Sequence, residues 1–333
     1  MHPSTLILMI MVAAATAAEV VGNPADGTPA ARFWEAAIPG TPMPGPLAEL
    51  VQKGIDDSPL AKNFSGPYLS IRMCLGHIYV SVCSVDRVKA AGTGLFFNED
   101  QVRVGATMTI SFAAAGVPAV LPHAAAEKLL VPFGNNNLTV DDIISRFNIA
   151  PGSEMASQVG DTLRLCHQLV APSHAGGGEE KKSCAASVED MVREATRTLG
   201  LAGGEEAWVA ASEVPGAGLP LQEYAVEAVT PLAGDDHVAC HDEPFPYAVF
   251  RCHKIGVSAT KAYAISLRGL RISGPAAGVT MAVICHLDTS GWNPAYPAFE
   301  MMGTKPGESS VCHFMPYANL LFGKKTANEM ESF

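Results

Sequence analysis

The sequence predicts an α+β fold with a helical N-terminal half and a mainly antiparallel β C-terminal half, stabilised by disulfides. Three observations support this prediction. Apolar residues recur at helical spacing between residues 139 and 199, strand-like segments follow residue 220, and eight cysteines are present. Hydrophobic residues make up 48% of the 333 residues and charged residues 17%, so the chain can bury a large core.

The charge of the chain excludes one class of partner. Its 22 Lys and Arg are scattered among 33 Asp and Glu, which gives a net charge of −11. Nucleic acids and anionic membranes select proteins with concentrated positive charge. We therefore expect neither nucleic acid nor an anionic membrane surface as a partner.

The N-terminus predicts export. An apolar run, Leu6–Val12, is followed by small residues up to Ala18, which is typical of a signal peptide covering residues 1–18. The run is much shorter than the roughly 20 apolar residues that span a bilayer, so no transmembrane segment is expected after cleavage. Two glycosylation sequons, at Asn63 and Asn137, agree with secretion into an oxidising compartment where cysteines form disulfides.

Residues 19–93 are expected to form a Pro/Gly-rich pro-region or linker. Four prolines between residues 39 and 46 preclude a continuous helix, and we interpret residues 20–66 as extended and mobile. Residues 67–85 look strand-like, and a hairpin turn could bring Cys74 and Cys83 together. A local disulfide is one interpretation of this pair; free or differently paired thiols are the alternative.

The region after residue 94 has the patterns of a packed domain. Residues 104–112 alternate as a strand with one buried face. Three helical segments follow: one capped by Thr139, one over residues 153–169, and one over 187–199 capped by Ser187. Cys166 and Cys184 lie in or beside the last two segments, and a disulfide between them would close the Gly-rich loop at residues 176–182.

Strands separated by Gly and Pro turns are expected after residue 220. They are predicted at Tyr224–Val229, Val238–Cys240, Ala248–His253, Ala262–Leu270, Val279–His286 and Ser310–Phe314.

Four Cys-His dipeptides mark this β half: Cys240-His241, Cys252-His253, Cys285-His286 and Cys312-His313. Successive residues of a strand point to opposite faces, so each cysteine should serve one layer and each histidine the other. The four cysteines can pair in three ways, which the sequence does not distinguish. The histidines could converge on a copper(II) or zinc ion, and copper has the highest affinity among the divalent first-row metals.

Other interpretations of the histidines stay open. The four could instead be hydrogen-bonded packing residues, whereas the long spacings between the dipeptides argue against a zinc finger. His123, His174 and His237 are isolated and expected at the surface. His167 follows Cys166 on a predicted helix, and we interpret this fifth Cys-His as coincidental.

Several motifs together resemble the plant BURP-domain family. They are Leu95-Phe96-Phe97, the run from Cys184 to Glu189, the four Cys-His dipeptides, the run from Asp288 to Pro294, and Lys305-Pro306-Gly307 before Cys312. The resemblance implies a BURP domain over residues 94–323 and a tail over 324–333. There are three departures: a longer interval between His253 and Cys285 with an insertion near residues 271–278, Tyr296 where a histidine is common, and an atypical tail after Leu320-Leu321-Phe322.

The resemblance implies two kinds of function. One is a secreted protein of the apoplast or cell wall with a structural or regulatory role in plant development or stress response. Its partners would be wall polysaccharide or a wall enzyme, as for the non-catalytic subunit of a polygalacturonase complex. The other is a copper-dependent peptide cyclase that crosslinks Tyr or Trp side chains of a peptide substrate.

In both cases His241, His253, His286 and His313 could hold copper. The sequence contains no hydrolase or nucleotide-binding motif, so it assigns no catalytic residue. Residues 20–93 contain only Trp34, Tyr68 and Tyr79 as candidate crosslinking residues, without any repeat. This favours the first function over self-cyclisation.

Overall fold

The computed structural model of the protein describes residues 23–56, 94–112, 118–124, 139–170, 181–201, 206–215, 218–254, 260–271 and 278–325. The signal peptide, Cys74, Cys83, and both sequon residues, Asn63 and Asn137, lie outside these ranges. Their predicted roles stay predictions.

The described residues form six helices, eleven strands and one short 3-10 turn at Glu99–Gln101. The helices are α1 Pro29–Ala37, α2 Gly45–Asp56, α3 Val140–Arg146, α4 Glu154–Val170, α5 Val188–Leu199 and α6 Pro297–Met302. The strands are β1 Phe96–Phe97, β2 Thr107–Phe112, β3 Lys181–Ala185, β4 Ala207–Ala211, β5 Leu219–Leu232, β6 His237–Glu243, β7 Val249–Lys254, β8 Thr260–Gly269, β9 Gly278–His286, β10 Val311–Phe314 and β11 Leu320–Lys324.

The strands build two antiparallel sheets. The six-stranded sheet has the order β1-β10-β9-β8-β5-β2, and the five-stranded sheet has the order β3-β7-β6-β11-β4. Every pairing is antiparallel. The α+β class and the antiparallel sheets are therefore confirmed. The N-terminal half is not simply helical, because β1 and β2 join the six-stranded sheet and β3 forms an edge of the other.

The two sheets pack against each other through small and aliphatic side chains. Ala239 and Leu321 of the five-stranded sheet form one buried cluster with Ala262, Ala282 and Ile284 of the six-stranded sheet. The alternate residues of the same strands face outwards into other cores, as the period of two in a strand requires. Each sheet thus has a buried core against both of its faces.

Helix α5 covers the outer face of the five-stranded sheet. Its buried residues Val188, Met191, Val192 and Ala195 follow the i, i+3, i+4, i+7 spacing of one helical face. Its N-cap is Ser187, whose hydroxyl accepts from the Asp190 amide at 3.1 Å. This confirms the cap and the helix predicted there. The cap predicted at Thr139, which accepts from the Asp142 amide at 3.2 Å, is also confirmed.

The interpretation of residues 20–66 as extended is wrong for residues 29–56. They form α1 and α2, which pack on the same core as α5. Trp34 is 2% exposed and its indole Nε1 donates to the Thr41 carbonyl at 2.8 Å. The prolines do interrupt the helix, but Pro46 lies in the first turn of α2, where its missing N–H costs no helical hydrogen bond.

Cys184 lies on a strand, beside the helix α4 to which its disulfide joins it. Strand β3 begins within the segment that was expected to be a Gly-rich loop, and Cys184 pairs in register with Arg251 of β7. The strands β4 and β11 and the helix α6 were also not predicted. Among the described residues, no helix combines the length and apolarity that a membrane span needs.

The buried N-terminal helices give a testable result. Replacing Trp34 with alanine should lower the free energy of unfolding by about 3–5 kcal/mol, because it leaves a large cavity and an unpaired carbonyl. The exposed neighbour Glu35, changed to alanine on the same helix, is the matched control and should change the stability by less than about 0.5 kcal/mol. Urea unfolding followed by circular dichroism measures both, and equal stabilities would show that α1 is not part of the core.

Candidate functional site

The cysteines of the four Cys-His dipeptides form two disulfides across neighbouring strands. Cys240 lies opposite Cys252 in the β6–β7 pair, and Cys285 lies opposite Cys312 in the β9–β10 pair. Their Cα atoms are 4.0 and 3.9 Å apart, respectively. The structure thus selects one of the three pairings that the sequence allowed.

A third disulfide joins Cys166 of α4 to Cys184 of β3, with their Cα atoms 5.7 Å apart. It is the disulfide that the sequence suggested, although Cys184 lies on a strand. It closes the segment between α4 and β3.

The four sulfur atoms of the cross-strand disulfides face away from the space between the sheets. Cys240 and Cys252 belong to the core under α1, α2 and α5. Cys285 and Cys312 belong to the core on the outer face of the six-stranded sheet. Because side chains alternate along a strand, the histidine after each cysteine points between the sheets.

The four histidine rings follow one another in a row between the sheets. The ring centroids of His253 and His241 are 5.3 Å apart, those of His241 and His313 are 5.6 Å apart, and those of His313 and His286 are 5.5 Å apart. The first two rings come from the five-stranded sheet and the last two from the six-stranded sheet. The structure therefore brings together all four histidines that the sequence singled out. We call this set the histidine row.

Two histidines of the row are more buried than the other two. His253 and His286 are 4% and 2% exposed, whereas His241 and His313 are partly buried. Arg251 lies opposite His241 in the β6–β7 register, and its Nε donates to Glu243 Oε1 at 2.7 Å. This buried ion pair borders the row on the five-stranded sheet.

Burial favours the neutral imidazole in three of the four histidines of the row. Desolvation lowers the pKa of His241 and His286 well below the usual value, and neighbouring histidines lower it further. Burial also lowers the pKa of His313 to about 4, against the opposing effect of the hydrogen bond that its ring donates to the Phe314 carbonyl. Since a metal binds the unprotonated nitrogen, these three rings are in the required state at neutral pH.

Hydrogen bonds to Nδ1 orient the two central rings. His241 Nδ1 lies 2.9 Å from Asn319 Oδ1, and His313 Nδ1 lies 3.1 Å from the Phe314 carbonyl oxygen. Histidines that bind metals usually direct their second ring nitrogen to such an oxygen. The buried Nδ1 atom of His286 has no hydrogen-bond partner among the described residues.

The donors fit a metal such as copper or zinc, with one adjustment. The Nε2 atoms of His286 and His313 are 3.5 Å apart, close to the roughly 3.3 Å between two nitrogens held tetrahedrally at about 2.05 Å from one ion. Within the part of the chain that the structure describes, however, no three potential ligands already surround a common point. Binding one ion through three or four histidines therefore requires some rings to turn.

An aromatic cluster borders the row at the His286 end. The Trp292 ring lies 5.1 Å from the His286 ring and 5.1 Å from the Tyr296 ring, and Phe96 lies 6.1 Å from His313. Tyr296, which stands where the resembled family often has a histidine, is buried in the outer core of the six-stranded sheet. This substitution therefore leaves the row of four histidines complete.

The expectation that His237 lies at the surface is wrong. His237 is 2% exposed on the inter-sheet side of β6, where its Nδ1 lies 2.6 Å from Thr260 Oγ1 and its ring packs on Trp208. Its spacing of four residues before His241 on a strand was the signal that could have revealed it. His123 contacts Ser187, and His167 is exposed on α4, so both lie away from the row. His174 lies outside the described residues.

Comparison with known sequences shows which family the chain belongs to. The sequence profile of the family described as BURP domain matches residues 95–324 of this chain. The chain belongs to the BURP domain family. The matched range holds both sheets and all four Cys-His dipeptides, but α1 and α2 precede it.

Curated plant BURP proteins are similar to this chain. BURP domain-containing protein 13 of Oryza sativa subsp. japonica is 39% identical over 236 residues, covering 70% of this chain and 54% of the relative. Protein RAFTIN 1B of Triticum aestivum is 41% identical over 239 residues, covering 71% and 61%. BURP domain-containing protein 2 of Oryza sativa subsp. japonica is 33% identical over 328 residues, covering 95% and 96%. The chain thus spans little more than half the length of the first two relatives.

The longer interval before Cys285 leaves the row in register. Strands β8 and β9 pair from Thr260 opposite His286 at one end to Arg268 opposite Gly278 at the other. The insertion predicted near residues 271–278 lies mostly outside the described residues and stays a prediction.

The lowered pKa values predict a pH dependence of stability. Between about pH 4 and 6.5 the unfolded chain binds a proton at His313 that the folded protein does not, and the lowered pKa values of His241 and His286 act in the same direction, so the free energy of unfolding falls as the pH falls. For His313 alone the loss between pH 7.5 and 4.5 is about 2–3 kcal/mol. Urea unfolding of the metal-free protein should show a smaller loss for His313→Gln than for the wild type.

The exposed His167, changed to glutamine, is the control for this experiment. Carboxylates contribute to the pH dependence of all three proteins equally, so only the difference between variants matters. Identical losses for His313→Gln and the wild type would contradict a buried, neutral His313.

Proposed function

We propose that this BURP-domain chain is a secreted plant protein of the apoplast or cell wall whose histidine row binds copper. The observation that supports copper binding is the convergence of His241, His253, His286 and His313 between the two sheets. Three disulfides and the leader-like N-terminus support secretion, since disulfides persist in oxidising compartments.

The chemistry of the donors favours copper. The cysteine that precedes each of the four histidines is already bound in a disulfide, so imidazole nitrogen is the only ligand that the row offers. Nitrogen donors suit copper and zinc, and copper binds such sites more tightly among the divalent first-row metals. Burial between the sheets keeps the ligands neutral and excludes most water from them.

The residues of the site have different roles in this proposal. His241 and His313 are the partly buried members of the row, while His253 and His286 are buried. Asn319 and the Phe314 carbonyl orient the central rings through Nδ1. A bound copper ion would supply one-electron chemistry, which imidazoles alone do not.

The physiological role that we propose is structural or regulatory, in plant development or stress response. It rests on the resemblance to BURP-domain proteins and on the absence of repeated aromatic core peptides from residues 20–93 of the sequence. Wall polysaccharide or a wall enzyme is the proposed partner.

Oxidative peptide cyclisation is a second candidate. The observation that favours it is the partly exposed Trp292 ring against His286, because it shows that an aromatic side chain can pack at the end of the row. In this reaction a new bond joins a Tyr or Trp side chain to another peptide atom. The peptide loses two hydrogens, and dioxygen accepts the two electrons and two protons.

Mass spectrometry distinguishes the two candidates. Copper-loaded protein is incubated in air with peptides that contain Tyr or Trp, and each product is tested for the loss of two hydrogens. Such a loss, absent without copper and absent with a His286→Ala variant, supports the cyclase. Unchanged peptides across sequences with either residue would leave the wall-protein role as the better proposal.

Copper binding itself is tested by calorimetric titration of the secreted protein at neutral pH. We expect one tight copper site per chain, and we expect His313→Ala to weaken it by at least about tenfold because a central ligand is lost. His167→Ala removes an exposed histidine away from the row and should leave the affinity unchanged. No copper binding by the wild type, or equal weakening by both variants, would contradict the proposal.

A further inference from the structure

The segment that connects β10 to β11 crosses from the six-stranded sheet to the five-stranded sheet and touches two rings of the histidine row. We call residues 314–319 the crossover segment. At its start, the Phe314 carbonyl contacts His313 Nδ1, and at its end Asn319 Oδ1 contacts His241 Nδ1. Both contacts use Nδ1, so Nε2 is not involved in either.

The other contacts of Asn319 decide how its amide group is oriented. Asn319 is 2% exposed, and its Nδ2 donates to Asp242 Oδ1 and, at 3.2 Å, to the Tyr317 carbonyl. A backbone carbonyl can only accept, so the amide NH2 must face it. The amide oxygen therefore faces His241. Because that oxygen has no hydrogen to give, His241 Nδ1 must carry the proton.

We propose that Asn319 is a positioning residue that holds His241 in the tautomer protonated at Nδ1. The lone pair of His241 is then on Nε2, the nitrogen that can receive a metal ion. The Phe314 carbonyl imposes the same tautomer on His313. The tautomer assignment stands on hydrogen bonding alone, whereas its purpose rests on the proposed copper site.

The backbone of the crossover segment is held in an unusual conformation. Ala318 has a φ of 61°, in the left-handed region that residues with a Cβ seldom adopt. The backbone N–H of Asn319 closes this turn by donating to the Pro316 carbonyl at 3.1 Å. A strained backbone conformation of this kind persists only where surrounding contacts hold it in place. Here it places the side chain of Asn319 next to His241.

Both sheets anchor the segment. The Met315 amide donates to the Ala282 carbonyl of β9 at 2.8 Å, and the Met315 carbonyl accepts from the buried Ser212 hydroxyl next to β4. Ser212 thus supports the same segment without contacting the row. Its hydroxyl also accepts from the Ala282 amide at 3.0 Å, so Ser212→Ala removes two buried hydrogen bonds beside the crossover segment and controls for buried polar losses that do not involve the row.

Nitrogen-15 NMR of the imidazole rings tests the proposal in metal-free protein above pH 7. The His241 signals are assigned by their disappearance in His241→Gln. We expect wild-type His241 to show a protonated Nδ1 and an unprotonated Nε2. In Asn319→Leu, which removes the acceptor, we expect Nε2-protonated tautomer to appear, while Ser212→Ala should keep the wild-type tautomer.

Copper titration of the same variants adds a second measurement. We expect Asn319→Leu to weaken copper binding by about 10- to 100-fold and Ser212→Ala by much less. A wild-type His241 protonated at Nε2 overturns the proposal even if no variant folds, and so does an unchanged tautomer in folded Asn319→Leu. A tautomer change without copper binding in any variant overturns the copper site and supports the hydrogen-bond assignment.

Discussion

Two successive side chains of a β-strand point to opposite faces of their sheet, and this constraint decides where each Cys-His dipeptide places its sulfur and its imidazole. The strands β6, β7, β9 and β10 each carry one dipeptide. Their cysteines lie in the two outer cores and their histidines between the sheets. One repeated two-residue pattern therefore supplies both the covalent crosslinks and the candidate metal ligands.

The disulfides and the histidine row depend on the same strand register. Cys240 opposite Cys252 and Cys285 opposite Cys312 place two histidines of each sheet at neighbouring positions. A slip by one residue would turn the histidines of a strand into an outer core and the sulfur towards the other sheet. The disulfides make such a slip impossible without breaking the bond. The crosslinks thus preserve the arrangement of the row.

Local patterns were sufficient for many elements but not for contacts between distant segments. The caps at Thr139 and Ser187 and the alternation in β2 were predictable because side chains within a few residues determine them. The helices α1 and α2 were missed because their prolines suggested an extended chain, while their stability comes from packing on α5. The spacing of His237 before His241 could have indicated its face of the strand, but its contact with Thr260 and the contact of Asn319 with His241 join residues 23 and 78 positions apart, which no local pattern reveals.

X-ray absorption at the copper edge of copper-loaded protein tests most directly whether copper is bound by imidazole nitrogen and not by sulfur. The structure predicts a first shell of nitrogen or oxygen, with outer-shell scattering from several imidazole rings and no sulfur, because every cysteine of the dipeptides lies in a disulfide in an outer core. A sulfur neighbour in the first shell, or a first shell without imidazole, would contradict this account.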